Sequence, residues 1–160
     1  MIIRPAKKAD TKTIAEMWLD FVEYHRQLDE VTPQVTEGGD ERYAMQIRWS
    51  IEDDYAQTFV AEDEGKVIAY VYGMVMSLTA EMFIDERAGM VGDIYVKPEY
   101  QGQGVGKALM GAMKDWFKLR GVSYYEWYVA VENEQGVRFW QNAMGGRPFM
   151  LGMRANLDDD

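Results

Sequence analysis

The sequence predicts an α/β (α+β) domain, a mixed sheet with helices on both faces, in the order β-α-α-β-β-β-α-β-α-β. Three observations carry this. Apolar residues switch between helical and strand spacing several times along the chain. Glycines and prolines punctuate the boundaries between those runs. The chain has 160 residues, 48% hydrophobic and 28% charged, and a domain of that size hides roughly 70% of the surface its unfolded chain exposes, enough for one core. Residues 1–157 read as a single domain and Asp158-Asp159-Asp160 as a solvated acidic tail.

Residues 2–5 read as a short strand, and Asp10 as the N-cap of the helix that follows. In that helix Ile14, Met17, Trp18, Phe21 and Val22 form one apolar stripe, which runs to about Leu28. Pro33 to Asp40 is a loop. A second helix is expected over 41–53, with Tyr43, Ile47 and Ile51 on one face. Thr58–Glu62 and Val67–Ser77 read as strands joined by the hairpin signal Asp63-Glu64-Gly65. Met90–Val96 is the next strand, stopped by Pro98. Lys107–Arg120 is a helix burying Leu109, Met113, Trp116 and Phe117, with Gly121 as its stop. Ser123–Val131 reads as a strand, Asn133–Met144 as a short helix, and Pro148–Ala155 as a last strand.

Composition excludes several kinds of chemistry. Without cysteine there are no disulfides, thiolate metal sites or cysteine nucleophile, and the single His25 rules out a histidine-rich centre, so no metal is expected. The opening Met1-Ile2-Ile3-Arg4-Pro5 lacks the apolar stretch of a signal peptide. The longest mostly apolar run, Val67–Met76, is too short to span a membrane. A cytoplasmic protein with no membrane association is the expectation. The net charge of −10 disfavours nucleic acid and favours cationic partners, amines among them, or serves solubility alone.

The segment that carries chemistry is Val96-Lys97-Pro98-Glu99-Tyr100-Gln101-Gly102-Gln103-Gly104-Val105-Gly106-Lys107. A strand ends, a glycine-rich turn follows and a helix begins. The first amides of a helix lack intrahelical partners and carry the positive end of its dipole, so such a turn suits an anion. A P-loop would require glycine at Gln101 and Ser or Thr at Ala108, and a dinucleotide fingerprint would require glycine at Lys107. Neither nucleotide motif is met.

Gln101-x-x-Gly104-x-Gly106 resembles the Q/R-x-x-G-x-G/A signature of the GCN5-related N-acetyltransferases (GNAT). The lead-in from Asp93 to Tyr100, the downstream Asn133-Glu134-Gln135-Gly136-Val137-Arg138-Phe139-Trp140 and the order of elements over nearly the whole chain resemble that family too. The resemblance implies a twisted, mostly antiparallel sheet and an acetyl-coenzyme A-dependent transfer to a primary amine by direct attack in a ternary complex. The alternative is a non-catalytic acyl-coenzyme A sensor of the same fold. The amides of Gln101, Gly102, Gln103, Gly104, Val105 and Gly106, with Lys107 beside them, would cradle the diphosphate. Main-chain groups of Ile94, Tyr95 and Val96 would pair with the pantetheine arm, in a slot left where the 123–131 strand splays away. Asn133 and Trp140 would flank the coenzyme, and a homodimer is plausible by the same resemblance.

The reaction needs a neutral amine. Deprotonating a lysine-like amine, with a reference pKa of about 10.4, costs roughly 4–5 kcal/mol at pH 7, so a base, a water path or a desolvating pocket is required. Asp93 and Glu126 are the base candidates, each with a plain solvent-facing role as the alternative. A backbone amide near Val96 is the family-like donor to the developing oxyanion. The family's usual acid is a tyrosine, and Trp140 stands at its position; Tyr128 or Tyr43 could substitute. The acceptor is expected to enter past Tyr24, His25, Glu30, Glu37, Asp40, Glu41 and Tyr43, an acidic mouth in which His25 is either a second relay or an ordinary helix residue.

Overall fold

A computed structural model describes residues 1–29, 32–80, 82–84 and 86–155. Among the described residues, five strands lie in spatial order β1-β2-β3-β4-β5. They are β1 (Ile2–Pro5), β2 (Ala56–Asp63), β3 (Lys66–Ser77), β4 (Arg87–Val96) and β5 (Tyr125–Trp127). β1 to β4 pair antiparallel and β5 joins β4 in parallel. The helices are α1 (Thr11–Leu28), α2 (Gly39–Ser50), α3 (Val105–Leu119) and α4 (Glu134–Arg138), which continues as a wider π turn over Phe139–Ala143. The expected order holds through α4.

Strand alternation sends side chains to two cores. Val71, Val75 and Val91 meet Leu109, Met110, Met113 and Phe117 of α3 on one face. Val60, Tyr70 and Tyr72 meet Ile14 and Met17 of α1 and Tyr43 and Ile47 of α2 on the other. The β2–β3 hairpin closes on Glu64 and Gly65, both at positive φ (48° and 75°). That is the primed-turn geometry that matches strand twist.

Two expected strands differ. The 123–131 strand shrinks to Tyr125–Trp127, because its ladder with β4 stops at Val91↔Trp127, one residue before β4 bulges. No strand forms among described residues 145–155. The outermost strand at that side of the sheet, β5, is only three residues long, Pro148 lacks an amide donor, and Phe149, Met150, Leu151 and Met153 stay exposed. The acidic tail at 158–160 lies outside the described residues.

Asp10 stands at the N-cap position of α1 but does not cap it. A 3₁₀ turn over Lys8–Asp10 gives Asp10 helical dihedrals, and its carboxylate turns back to the Lys7 amide (2.7 Å) and the Arg4 fork (2.7 and 3.0 Å). Arg4 also reaches Glu62. The Arg4 bonds hold the Asp10 carboxyl below its ordinary range against the opposing cost of burial, and the Lys7 amide adds to this. Losing these charge-assisted bonds at a part-buried site costs about 1.5 kcal/mol. We expect Asp10→Ala to lower the urea midpoint at pH 7. A carboxyl with a depressed folded pKa stabilises above its unfolded value, near 3.9, and loses that as pH falls through the folded value. The gap between variant and wild type should therefore start to shrink as pH falls below about 4 and keep shrinking through the folded value.

Candidate active site

The site begins with a bulge. β3 and β4 pair Tyr72↔Asp93 and then Gly73↔Val91, so Gly92 is the extra residue. A bulge reverses side-chain alternation beyond it. Val91 packs on the α3 side and so do Ile94 and Val96, whereas Tyr95 packs on the α1–α2 side. Asp93, which straight alternation from Val91 would send into the methionine-rich α3 core, instead shares Tyr95's face and receives a hydrogen bond from Tyr43 Oη (2.8 Å). A Cβ at Gly92 would come within 2.9 Å of the Tyr72 ring, so the bulge has room only for glycine.

The Asp93 carboxylate ends a buried chain of hydroxyls. Tyr43 Oη lies 3.3 Å from Tyr70 Oη, and the Tyr43 ring stacks on Trp18 at 4.5 Å. Burial pushes the Asp93 carboxyl above its ordinary range, opposed by the Tyr43 bond. Burial also pushes the Tyr43 and Tyr70 phenols well up, which keeps them neutral donors. A carboxylate raised in this way is a stronger proton acceptor than an exposed one.

From Asp93 the open edge of β4 leads to the glycine loop. Lys97 N donates to Ile68 O (3.1 Å). Antiparallel ladders alternate, so Tyr95 also turns its amide and carbonyl to β3, and Ile94 and Val96 turn theirs outward. Beyond Val91 no β5 residue meets that edge. Of the three main-chain partners expected for the pantetheine arm, Ile94 is open at both amide and carbonyl, Val96 at its amide alone, and Tyr95 is committed to the sheet. Gln101 Nε2 binds Val96 O (2.9 Å) and Gln135 Nε2 donates to Gln101 Oε1 (3.0 Å), so Gln101 ties the strand end to α4.

In the loop, Gln101 N is taken by Pro98 O (3.2 Å), while the first amide of α3 to find a backbone acceptor is that of Ala108, on Gly104 O. The amide cradle therefore spans Gly102, Gln103, Gly104, Val105, Gly106 and Lys107, one residue later than expected. Gly104 is the N-cap at φ 82°, and nothing lies within 4 Å of where its Cβ would be. Outward amides, open space and the positive end of a 15-residue helix fit a diphosphate, and the free β4 edge fits an amide-bearing arm.

Asn133 caps α4, its Oδ1 accepting from Gly136 N (2.9 Å), and it is only 8% exposed. It also meets α1: Tyr24 Oη is 3.3 Å from Oδ1 and His25 Nε2 is 3.2 Å from Nδ2. Trp140, 6% exposed, belongs to the α3-side core, stacked on Trp127 at 4.4 Å and edge-on to Phe139. Its role in the structure is packing. Glu126 pairs in register with Met90 on β5. Tyr128 lies past the end of β5, 88% exposed.

At the expected acceptor mouth, a groove beside Trp18 is lined by Val22, Pro33, Val35 and Arg42, apolar and basic rather than acidic. Arg42 binds Glu37 O and the Thr36 hydroxyl, and Asp40 and Glu41 occupy the first turn of α2, where they favour its dipole. Glu30 lies outside the described residues. Sequence reasoning missed Tyr70 and the His25–Asn133 contact. No group of three potential metal ligands occurs among the described residues, and no helix there is long and apolar enough to cross a membrane.

Comparison with known proteins agrees with this geometry. The chain is 28% identical over 96 residues to an uncharacterised N-acetyltransferase of Methanocaldococcus jannaschii, covering 59% of this chain and 41% of that protein. It is 36% identical over 94 residues to mycothiol acetyltransferase of Amycolatopsis mediterranei, covering 59% and 29%. The match thus spans less than half of either curated relative. Among solved structures, a tetramutant of the BH1408 protein of Bacillus halodurans superposes with a TM-score of 0.80 at 21% identity, over 98% of this chain and 100% of that one. Aminoglycoside N-acetyltransferase AAC(6')-Iy in complex with CoA superposes with a TM-score of 0.74 at 17% identity, over 98% and 94%. The profile of the acetyltransferase (GNAT) family matches residues 18–145, which include the second half of α1, Asp93, the glycine loop and Asn133, and the chain belongs to that family.

Proposed function

We propose that this protein transfers the acetyl group of acetyl-coenzyme A to a primary amine by direct attack in a ternary complex, with Asp93 as the base. One observation carries the reading: the unpaired β4 edge runs from a carboxylate of raised pKa to a row of amides without acceptors. The amides of 102–107 bind the diphosphate and the outward amide and carbonyl of Ile94 align the arm. Bound there, acetyl-coenzyme A supplies an activated acyl carbonyl. The outward Val96 amide donates to the oxygen that gains charge. Asp93 takes the amine proton, and Tyr43 holds the carboxylate in place. Buried Trp140 supplies no acid, and an alkyl thiol with a pKa near 8.5 leaves without one.

Coenzyme release measured with acetyl-coenzyme A and a library of polyamines, amino acids, peptides and aminoglycosides tests this. Turnover on an amine supports it. The packing of Trp140 at the position of the family's tyrosine favours the second reading, an acyl-coenzyme A sensor, and tight binding with no turnover on any amine would select that reading instead.

Tyr43→Phe keeps the ring on Trp18 but removes the donor to Asp93. Losing that bond raises the carboxyl further, so the rising limb of kcat/KM against pH should move about one unit alkaline. An unmoved limb would mean that Asp93 is not the group titrating in it.

A further inference from the structure

We propose that His25, the only histidine of the chain, is the positioning residue for Asn133 and acts as a neutral Nδ1–H tautomer. Two independent constraints give the same proton placement. His25 Nδ1 lies 2.8 Å from Phe21 O; a carbonyl only accepts, so Nδ1 carries hydrogen. Gly136 N–H donates to Asn133 Oδ1, which fixes that oxygen toward α4 and turns Nδ2, a donor only, toward His25 Nε2 at 3.2 Å. Nε2 must therefore accept. The Tyr24 hydroxyl, 3.3 Å from Oδ1, reinforces the same amide orientation.

The ring is held in place. Phe21 packs against it at 4.3 Å and Tyr24 edge-on at 5.3 Å, both from α1. The bond joins residues 108 apart in sequence and is the polar clasp between α1 and the start of α4. Asn133 is nearly buried, and a buried amide donor without an acceptor is destabilised or turns away. Removing His25 therefore frees the carboxamide to leave the place where, on the reading proposed above, it flanks the coenzyme arm. His25 touches no reacting atom and acts through Asn133.

A single histidine makes the test direct, since its imidazole ¹⁵N resonances need no assignment. At pH 8 the wild-type protein should show the neutral Nδ1–H tautomer, and Asn133→Ala should shift the Nε2 resonance as its donor disappears. A dominant Nε2–H tautomer, or an Nε2 signal indifferent to Asn133→Ala, overturns the proposal whether or not the protein binds coenzyme. The functional arm measures acetyl-coenzyme A affinity by calorimetry. His25→Leu should weaken it about fivefold, the worth of one hydrogen bond. His25→Gln, whose Oε1 can accept from Asn133 Nδ2, should recover most of that. Equal weakening by both variants would reduce His25 to packing and overturn the positioning role. A wild-type protein with the expected tautomer but no affinity for acetyl-coenzyme A would sink the coenzyme reading and leave the His25–Asn133 clasp standing.

Discussion

Asp93→Asn is expected to lower kcat/KM about 10²- to 10³-fold, the usual worth of a positioned base, while making the protein more stable at pH 8. The pairing of these effects follows from the site. Asp93 is ionised at the expense of burial, so its folded pKa lies above the ordinary carboxylate range. The sign is opposite to that of Asp10. A carboxyl with a raised folded pKa costs nothing below its unfolded value, and its cost grows as pH rises to the folded value and stays above it. Asparagine abolishes that cost, and Tyr43 Oη can still donate to its side-chain oxygen at the position where it meets Asp93 now. The melting temperature should rise by about 2 °C or more at pH 8, the scale of a 1 kcal/mol change in a domain of this size, and the gain should vanish near pH 3. Acetyl-coenzyme A affinity should stay within about threefold, because the diphosphate cradle is not touched. A residue needed only for packing would lose activity and stability together. Loss of melting temperature in Asp93→Asn, or full turnover, would remove Asp93 from the role of base.

What could be read from the sequence divides along physical lines. The glycine loop was legible because its determinants are local: a strand end, Pro98, the glycines and the start of α3 all fall within a dozen residues. The helix faces were legible for the same reason, since Ile14 and Met17 or Leu109 and Met113 repeat at helical spacing and are buried as a stripe. The orientation of Asp93 was not. It depends on which β4 residue lacks a partner on β3, and a single bulge at Gly92 reverses every side chain after it. The length of β5 was illegible in the same way, because its aromatic run favours strand from Ser123 to Val131 while the ladder ends where β4 departs. Trp140 read as a substitution at a functional position with packing as the other role open to it, and the stack on Trp127 is what supports packing. Tyr43 and Asp93 were both candidates, but their meeting at 2.8 Å depends on α2 crossing the sheet, which no local pattern encodes.

Gly104→Glu should weaken acetyl-coenzyme A binding more than about 100-fold, a loss of roughly 2.7 kcal/mol, with little loss of fold. Two effects act on the ligand side. Gly104 sits at φ 82°, a conformation that costs an L-residue about 1–2 kcal/mol, so relaxation would re-aim the amides of Val105 and Gly106. The new carboxylate would stand at the positive end of α3, where it neutralises the field that attracts a diphosphate and repels the ligand directly. The effects on the fold largely offset each other. Nothing lies within 4 Å of the new Cβ, and an acidic side chain at a helix start recovers part of the backbone strain. Gly104→Ala separates the contributions, since it carries the strain without the charge, and should weaken binding by about tenfold at most. Near-equal losses in the two variants would make backbone geometry the whole effect. Full affinity in Gly104→Glu would mean that the diphosphate is held elsewhere, and the path from Asp93 along the β4 edge would then lead to a turn with no ligand to hold.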